Sequence, residues 1–123
     1  MKRVLLVEPN KDLGKIIKKY LEGCKYKVCH VCNAESAIIE ADIKKPDVVV
    51  LELAIADQNG VAFLHEFRSY GDWINVPIII HTFLARQNNQ IVASLESLGV
   101  KKYLYKPKTS LNDLNLALKT TIL

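Results

Sequence analysis

The sequence contains no apolar run that approaches the roughly 20 residues of a membrane-spanning helix. Its first residues, Met1-Lys2-Arg3, lead into a short strand-like run instead of a signal-peptide core with a cleavage site. Repeats, low-complexity tracts and linker-like segments are also lacking. Since 50% of the residues are hydrophobic, the chain can build a core. We therefore expect one cytoplasmic domain over residues 1–123 with no membrane segment.

Cysteine is scarce, with Cys24, Cys29 and Cys32 as the three examples. Cys29 and Cys32 have the spacing of metal and redox motifs, but they fall in a strand-like segment over residues 27–32. Residues three apart on a strand point to opposite faces, so these two thiols cannot easily share one metal. A second pair that would complete a zinc site is missing. We expect small buried or half-buried thiols and no metal.

Motifs for catalysis and nucleic-acid binding are missing as well. We find no Gly-rich phosphate loop, no Ser/His/Asp order and no cluster of metal ligands, so we do not expect an enzyme. The net charge is +4, but the basic residues are not interleaved with aromatic residues. Lys15, Lys18 and Lys19 share a predicted helix with apolar residues and are predicted to form its solvated face. Direct nucleic-acid binding by this domain is not expected.

Strand and helix patterns alternate along the whole chain. Apolar runs at 4–7, 48–51, 78–80 and 103–105 are typical of strands buried on both faces of a parallel sheet. Periodic apolar residues predict helices over 12–22, 34–44, 61–70 and 85–98, and a fifth that begins at the capping-box pair Ser110 and Asp113. This alternation predicts an α/β fold, a doubly wound five-stranded parallel sheet of the flavodoxin-like type with strand order 2-1-3-4-5.

A chemically useful residue stands at the end of each of the four apolar runs. These residues are Glu8, Glu52, Thr82 and Lys106. Binding crevices of open α/β sheets lie beyond the carboxyl ends of the strands, so we expect the four side chains to converge. Taken singly, each residue could be a satisfied strand-end group or a surface charge. Taken together, they predict one functional site.

The segments 4–10, 46–60, 77–83 and 103–107 resemble the receiver (CheY-like) domain of bacterial response regulators. The resemblance implies that Glu8-Pro9-Asn10 stands where the family has its acidic Mg²⁺-binding pocket. It places Glu52 at the position of the phosphate-accepting aspartate, and Thr82 and Lys106 where the family contacts the phosphoryl group.

Three further positions carry family roles. Lys106-Pro107 matches a peptide bond that is usually cis, and Tyr103 matches the switch aromatic, which points inward in the activated form. Phe83 stands where the family has a small residue that leaves room for the phosphodonor, and we expect it to cover the entrance.

The departures from the family pattern weaken phosphorylation chemistry. Pro9 replaces a metal ligand, and phosphoryl transfer needs a metal to neutralise charge. Glu52 is one methylene longer than aspartate, and a misplacement of about 1 Å can cost roughly a hundredfold in rate. We predict an atypical receiver that is not controlled by aspartyl phosphorylation, with its Mg²⁺ site lost and no cofactor. We also predict an ion pair between Glu52 and Lys106, with a hydrogen bond from Thr82.

The resemblance implies a protein partner on the face of helix four, strand five and helix five. Here that face would carry Lys101, Lys102, Tyr103 and parts of residues 87–94. A homodimer is also compatible with the sequence. Two alternatives remain: a small-molecule-sensing pseudo-receiver, or a phospho-accepting receiver that tolerates Glu52. We expect Asp47 and Asp57 to be surface turn residues and His81 to be a hydrogen-bonded filler.

Overall fold

The computed structural model describes residues 1–85 and 89–122. Over these residues, five parallel strands form one sheet in the order 2-1-3-4-5, which confirms the predicted topology. The strands are β1 Arg3–Val7, β2 Lys27–Val31, β3 Val48–Leu51, β4 Ile78–Thr82 and β5 Val100–Tyr105. The helices are α1 Lys11–Gly23, α2 Ala34–Ile43, α3 Gly60–Ser69, α4 Asn89–Ser97 and α5 Leu111–Thr121.

The sheet separates two apolar layers because successive side chains of each strand point to opposite faces. On β1, Leu5 and Val7 pack with residues of α2, α3 and α4, whereas Val4 and Leu6 pack with residues of α1 and α5. All four residues of β3 are buried, as expected of a central parallel strand. Each fully buried aliphatic side chain contributes about 1.5–3 kcal/mol, so these layers fix the positions of the strand ends.

Short polar side chains begin the helices by accepting free backbone N–H groups. Asn33 caps α2, and Ser110 with Asp113 forms the capping box predicted for α5. Asp57 is exposed, but it is not a simple surface turn residue, because its carboxylate accepts the N–H groups of Ala34 and Glu35 at 3.0 and 3.1 Å. These hydrogen bonds, the one from Ala34 first, hold the pKa of Asp57 below its usual range.

The start predicted for α4, at about residue 85, lies at the border of the described residues. Ala85 is not helical, residues 86–88 lie outside the described part, and the helix is described from Asn89. The backbone before it is engaged elsewhere, since Leu84 donates its N–H to Thr82 Oγ1 and accepts a hydrogen bond from the Tyr103 hydroxyl. These contacts draw the chain after β4 toward the sheet.

Strand β2 ends one residue before the prediction, so Cys32 lies just beyond it. Its Sγ lies 3.9 Å from His30 Nε2, while Cys29 contacts Glu40 on the side of α2. All three cysteines are free and half-buried, in keeping with the expected buried or half-buried thiols.

The Arg68 side chain holds together the segments at the N-terminal ends of β4 and β5. Its guanidinium donates to the carbonyl oxygens of Trp73, Val76 and Leu98 at 2.6, 2.5 and 2.7 Å. These bonds tie the end of α3 to the loop before β4 and to the turn after α4. At that turn Gly99 has a φ of 85°, and a β-carbon there would collide with Arg68.

Candidate functional site

The four residues at the strand ends meet at the carboxyl edge of the sheet, the edge formed by the C-terminal strand ends. Glu8 follows β1, Glu52 follows β3, Thr82 ends β4 and Lys106 follows β5. Glu8, Glu52 and Thr82 are 2%, 4% and 0% exposed, so all three polar side chains are withdrawn from water. Burial of this kind requires that each charge has a partner.

The Lys106 ammonium lies between the two carboxylates. Its Nζ is 2.6 Å from Glu8 Oε1 and 2.8 Å from Glu52 Oε1, and the Lys106 side chain is 5% exposed. The predicted Glu52–Lys106 ion pair is confirmed by this distance, while the contact with Glu8 was not predicted. We call this buried triad the Lys106 bridge.

Each remaining carboxylate oxygen of the Lys106 bridge also accepts a hydrogen bond. Glu8 Oε2 accepts the N–H of Asn10 at 3.0 Å. Glu52 Oε2 accepts the Thr82 hydroxyl and the N–H of Ala54. The N–H of Phe83 donates to Glu52 Oε1 at 3.2 Å, beside Lys106. All four carboxylate oxygens therefore have protein donors.

The surroundings favour the ionised form of Glu52. Burial acts to raise the pKa of its carboxyl, but the hydrogen bonds from Lys106, Thr82 and Ala54 outweigh burial and hold the pKa below its ordinary value of 4.5. Glu52 is thus an ionised carboxylate whose charge is already compensated by its neighbours.

His81, on β4, is buried close to this charge. Desolvation by burial and the positive charge of Lys106 lower its pKa from 6.5 to about 4, although Glu52 opposes the shift. Among the described residues, its Nδ1 is buried without a hydrogen-bond partner. The expectation of a hydrogen-bonded filler is therefore wrong for this nitrogen, which follows three buried isoleucines on the strand.

Two aromatic residues lie over the site. The Lys106 ammonium is 4.7 Å from the centroid of the Phe83 ring, a cation–π distance, and Phe83 is 61% exposed. The Tyr103 ring is half-buried against the core on the side of α2 and α3, and its hydroxyl donates to the Leu84 carbonyl at 2.7 Å. Phe83 thus screens Lys106 from solvent, and Tyr103 is packed inward.

The segment after Glu8 does not supply further ligands. Asn10 Oδ1 accepts the N–H of Leu13 at 3.0 Å and so caps α1, which takes this side chain away from the carboxylates. Pro9 has neither a side-chain ligand nor an N–H. The Lys106–Pro107 bond also differs from the pattern that the resemblance implies, because the described residues include no cis peptide bond.

Sequence reasoning missed His30 on the neighbouring strand. Its Nε2 lies 2.9 Å from the Glu8 carbonyl, and its ring packs so closely on Gly14 that a β-carbon there would overlap it. The signal was Gly14 itself, because glycine inside a helix costs about 1 kcal/mol and often marks a close approach.

Residues 1–85 and 89–122 hold no group of three or more His, Cys, Asp or Glu side chains placed to bind a metal ion. Within the same ranges, no helix has both the length and the hydropathy needed to cross a bilayer.

Comparison with known proteins identifies the family. The model of the response regulator receiver domain matches residues 4–119. The chain belongs to this family. It is 30% identical over 107 residues to the KDP operon transcriptional regulatory protein KdpE of Escherichia coli K12, which covers 87% of this chain and 45% of that protein. The chain therefore spans about half the length of this curated relative.

Receiver domains occur in proteins with different outputs. The chain is 26% identical over 110 residues to a protein-glutamate methylesterase/protein-glutamine glutaminase of Treponema denticola, which covers 88% of this chain and 29% of that protein. The fold matches the chemotaxis protein CheY4 of Vibrio cholerae with a TM-score of 0.88 and 19% identity, over 98% of both chains. This protein is thus a receiver domain of a two-component response regulator, a class that works with protein partners.

Proposed function

We propose that this receiver domain is held in one conformational state by the Lys106 bridge instead of being switched by phosphorylation at residue 52. The observation that carries the proposal is the saturation of Glu8 and Glu52, whose four oxygens all accept from protein donors. The Lys106 ammonium occupies the carboxylate oxygens that a phosphoryl group and its metal would need.

The nucleophile is the first obstacle to phosphorylation. An attacking carboxylate oxygen needs an accessible lone pair directed at phosphorus, but Glu52 is 4% exposed and both of its oxygens are hydrogen-bonded. Phe83 lies over Lys106 on the approach to this carboxylate. Attack would require the bridge to open, which leaves buried charges without partners.

The metal is the second obstacle, because the residues present do not fit Mg²⁺. This ion needs hard oxygen ligands in near-octahedral geometry. Glu8 and Glu52 already bind an ammonium at 2.6 and 2.8 Å, Asn10 caps α1, and Pro9 offers no ligand. Phosphoryl transfer to Glu52 would therefore lack the metal that neutralises its charge.

The inward position of Tyr103 supports a locked state of the activated type. Its hydroxyl and the Thr82 hydroxyl both bind the backbone of Leu84, so the segment after β4 is drawn toward Glu52 without a phosphoryl group. In typical receiver domains, an inward switch aromatic is a feature of the activated form. Glu52 and Lys106 would supply permanently the contacts that phosphorylation supplies in a typical receiver.

The locked domain would act by protein–protein contact and not by catalysis. We place its partner surface on α4, β5 and α5, where Lys101 and Lys102 are exposed; of the predicted face, residues 87 and 88 and the side chains of 89–91 lie outside the described part. We propose a cytoplasmic location, no enzymatic activity and no direct nucleic-acid binding for this domain. A small-molecule sensor finds less support, since Lys106 fills the space between the acids.

Small phosphodonors are expected to leave the chain unmodified. Incubation with acetyl phosphate and Mg²⁺, followed by intact-mass spectrometry, should show no added phosphoryl group because Glu52 is saturated and Pro9 removes a metal ligand. The matched control is the Pro9→Asp/Glu52→Asp double variant, which restores the family residues and should gain one phosphoryl group only with Mg²⁺. A stoichiometric adduct on Glu52 of the unmodified chain would overturn the proposal.

Mg²⁺ is expected to show no saturable binding to this chain at millimolar concentration. Isothermal titration at neutral pH should give only dilution heat, because displacing Lys106 from both carboxylates costs more than a site with few ligands returns. The same double variant should show a saturable binding curve. Saturable binding by the unmodified chain that disappears in Glu8→Ala would contradict this expectation.

A further inference from the structure

Helix α2 carries apolar side chains on its outer face as well as on its inner face. Its inner face buries Ala34, Ala37 and Ala41, and its outer face exposes Ile39 and Ile43 at 51% and 72%. A helix on the surface of a globular protein normally presents polar residues to water, so two exposed isoleucines one turn apart depart from that pattern. The outer face of α2 is therefore a candidate interface.

Acidic residues accompany these two isoleucines. Glu35 lies one turn before Ile39, Asp42 lies beside Ile43, and both acids are exposed. The helix contains three acidic residues and no lysine or arginine; lysines follow only at its end. A depression beside Ile39 is lined by three acids, Glu35, Asp57 and Glu66. We call Glu35, Ile39, Asp42 and Ile43 the α2 stripe.

An apolar groove with basic neighbours lies on the other face of the sheet. It has a volume of about 540 Å³ and is lined by Ile16, Lys19, Tyr20, Gly23, Cys24 and Leu111. Helix α1 carries four lysines against two acids, and exposed Lys15 stands one turn before Lys19. Ile16 in this groove is 55% exposed. We call these six lining residues the α1–α5 groove.

We propose that the α2 stripe of one copy of this chain binds in the α1–α5 groove of a second copy. The stripe offers exposed isoleucines next to acids, and the groove offers an apolar surface next to lysines, so apolar surface and charge are complementary. A contiguous exposed apolar surface with a charged surround is typical of protein–protein contacts. The two surfaces share no residue with the Lys106 bridge, and the proposal does not depend on phosphorylation.

The topology makes this contact heterologous. Helices α1 and α5 pack on one face of the sheet, and α2 packs on the other. Each contact therefore joins two different patches and leaves a free groove on one copy and a free stripe on the next. Contacts of this type do not close by a two-fold axis, so the assembly grows as the concentration rises.

Light scattering coupled to size-exclusion chromatography tests the contact over a range of protein concentrations. The mean mass of the unmodified chain should rise with concentration, and both Ile43→Glu and Ile16→Glu should remain monomeric. The matched control is Ile74→Glu, which places the same change at an isoleucine that is 58% exposed elsewhere on the surface and should still associate. Circular dichroism of each variant verifies that the fold is retained.

Mixing the two monomeric variants gives the decisive result. Ile43→Glu keeps its groove and Ile16→Glu keeps its stripe, so an equimolar mixture should form a dimer and nothing larger. An unmodified chain that stays monomeric at every concentration would overturn the proposal and leave the stripe to a different partner. A mixture that stays monomeric, or an Ile74→Glu variant that dissociates equally, would overturn the heterologous contact.

Discussion

Replacing Lys106 with methionine is expected to lower the free energy of unfolding by roughly 3–5 kcal/mol at neutral pH. The variant keeps most of the side-chain volume but leaves Glu8 and Glu52, 2% and 4% exposed, as neighbouring buried carboxylates without their ammonium. Domains of this size are stable by only about 5–15 kcal/mol, so the loss should be visible as a large shift of the urea midpoint.

Two further variants separate the lost charge from the lost packing. Lys102→Met changes an exposed lysine of β5 and should move stability by less than about 0.5 kcal/mol. Adding Glu8→Gln and Glu52→Gln to Lys106→Met removes the uncompensated charges and should recover much of the loss. Equal stabilities of Lys106→Met and Lys102→Met would show that the bridge is energetically unimportant.

Acidification from pH 6.5 to 4.5 is expected to destabilise the domain through His81. Its pKa is about 4 in the folded chain against an ordinary 6.5, so in this window the unfolded state binds a proton that the native state does not. The free energy of unfolding therefore decreases as the pH is lowered. For a pKa shift of this size the full effect is about 3 kcal/mol, and most of it occurs in this window. Urea titrations at a series of pH values measure this slope.

The His81→Leu variant provides the reference, because it removes the titrating ring and leaves an apolar side chain in an apolar layer. The stability of the unmodified chain should fall relative to this variant as pH decreases through the window. Glu52 affects stability at lower pH than His81 does. Its pKa lies below 4.5, so its contribution to stability is present above pH 4.5 and is lost as the pH falls further. Parallel pH curves for the two proteins would contradict the role of His81.

The strand order and the layer structure could be predicted from the sequence because both depend on local patterns. The apolar runs of β1, β3 and β4 specify strands buried on two faces, and right-handed connections then leave few topologies. Helix ends were predicted where a cap is local, as at Ser110 and Asp113. The contact of Tyr103 with Leu84, by contrast, joins residues of different elements and could not be predicted from a local pattern.

The sequence by itself determined which groups would meet at the carboxyl edge, since parallel strands bring their ends to one side. It also indicated the Glu52–Lys106 pair through the extra methylene of Glu52. Only the tertiary structure decided that Lys106 bridges Glu8 as well, that Asp57 caps α2, and that His81 Nδ1 has no partner in the described part of the chain. These contacts join residues from different elements, and their geometry depends on how the helices pack on the sheet, which a local pattern does not encode.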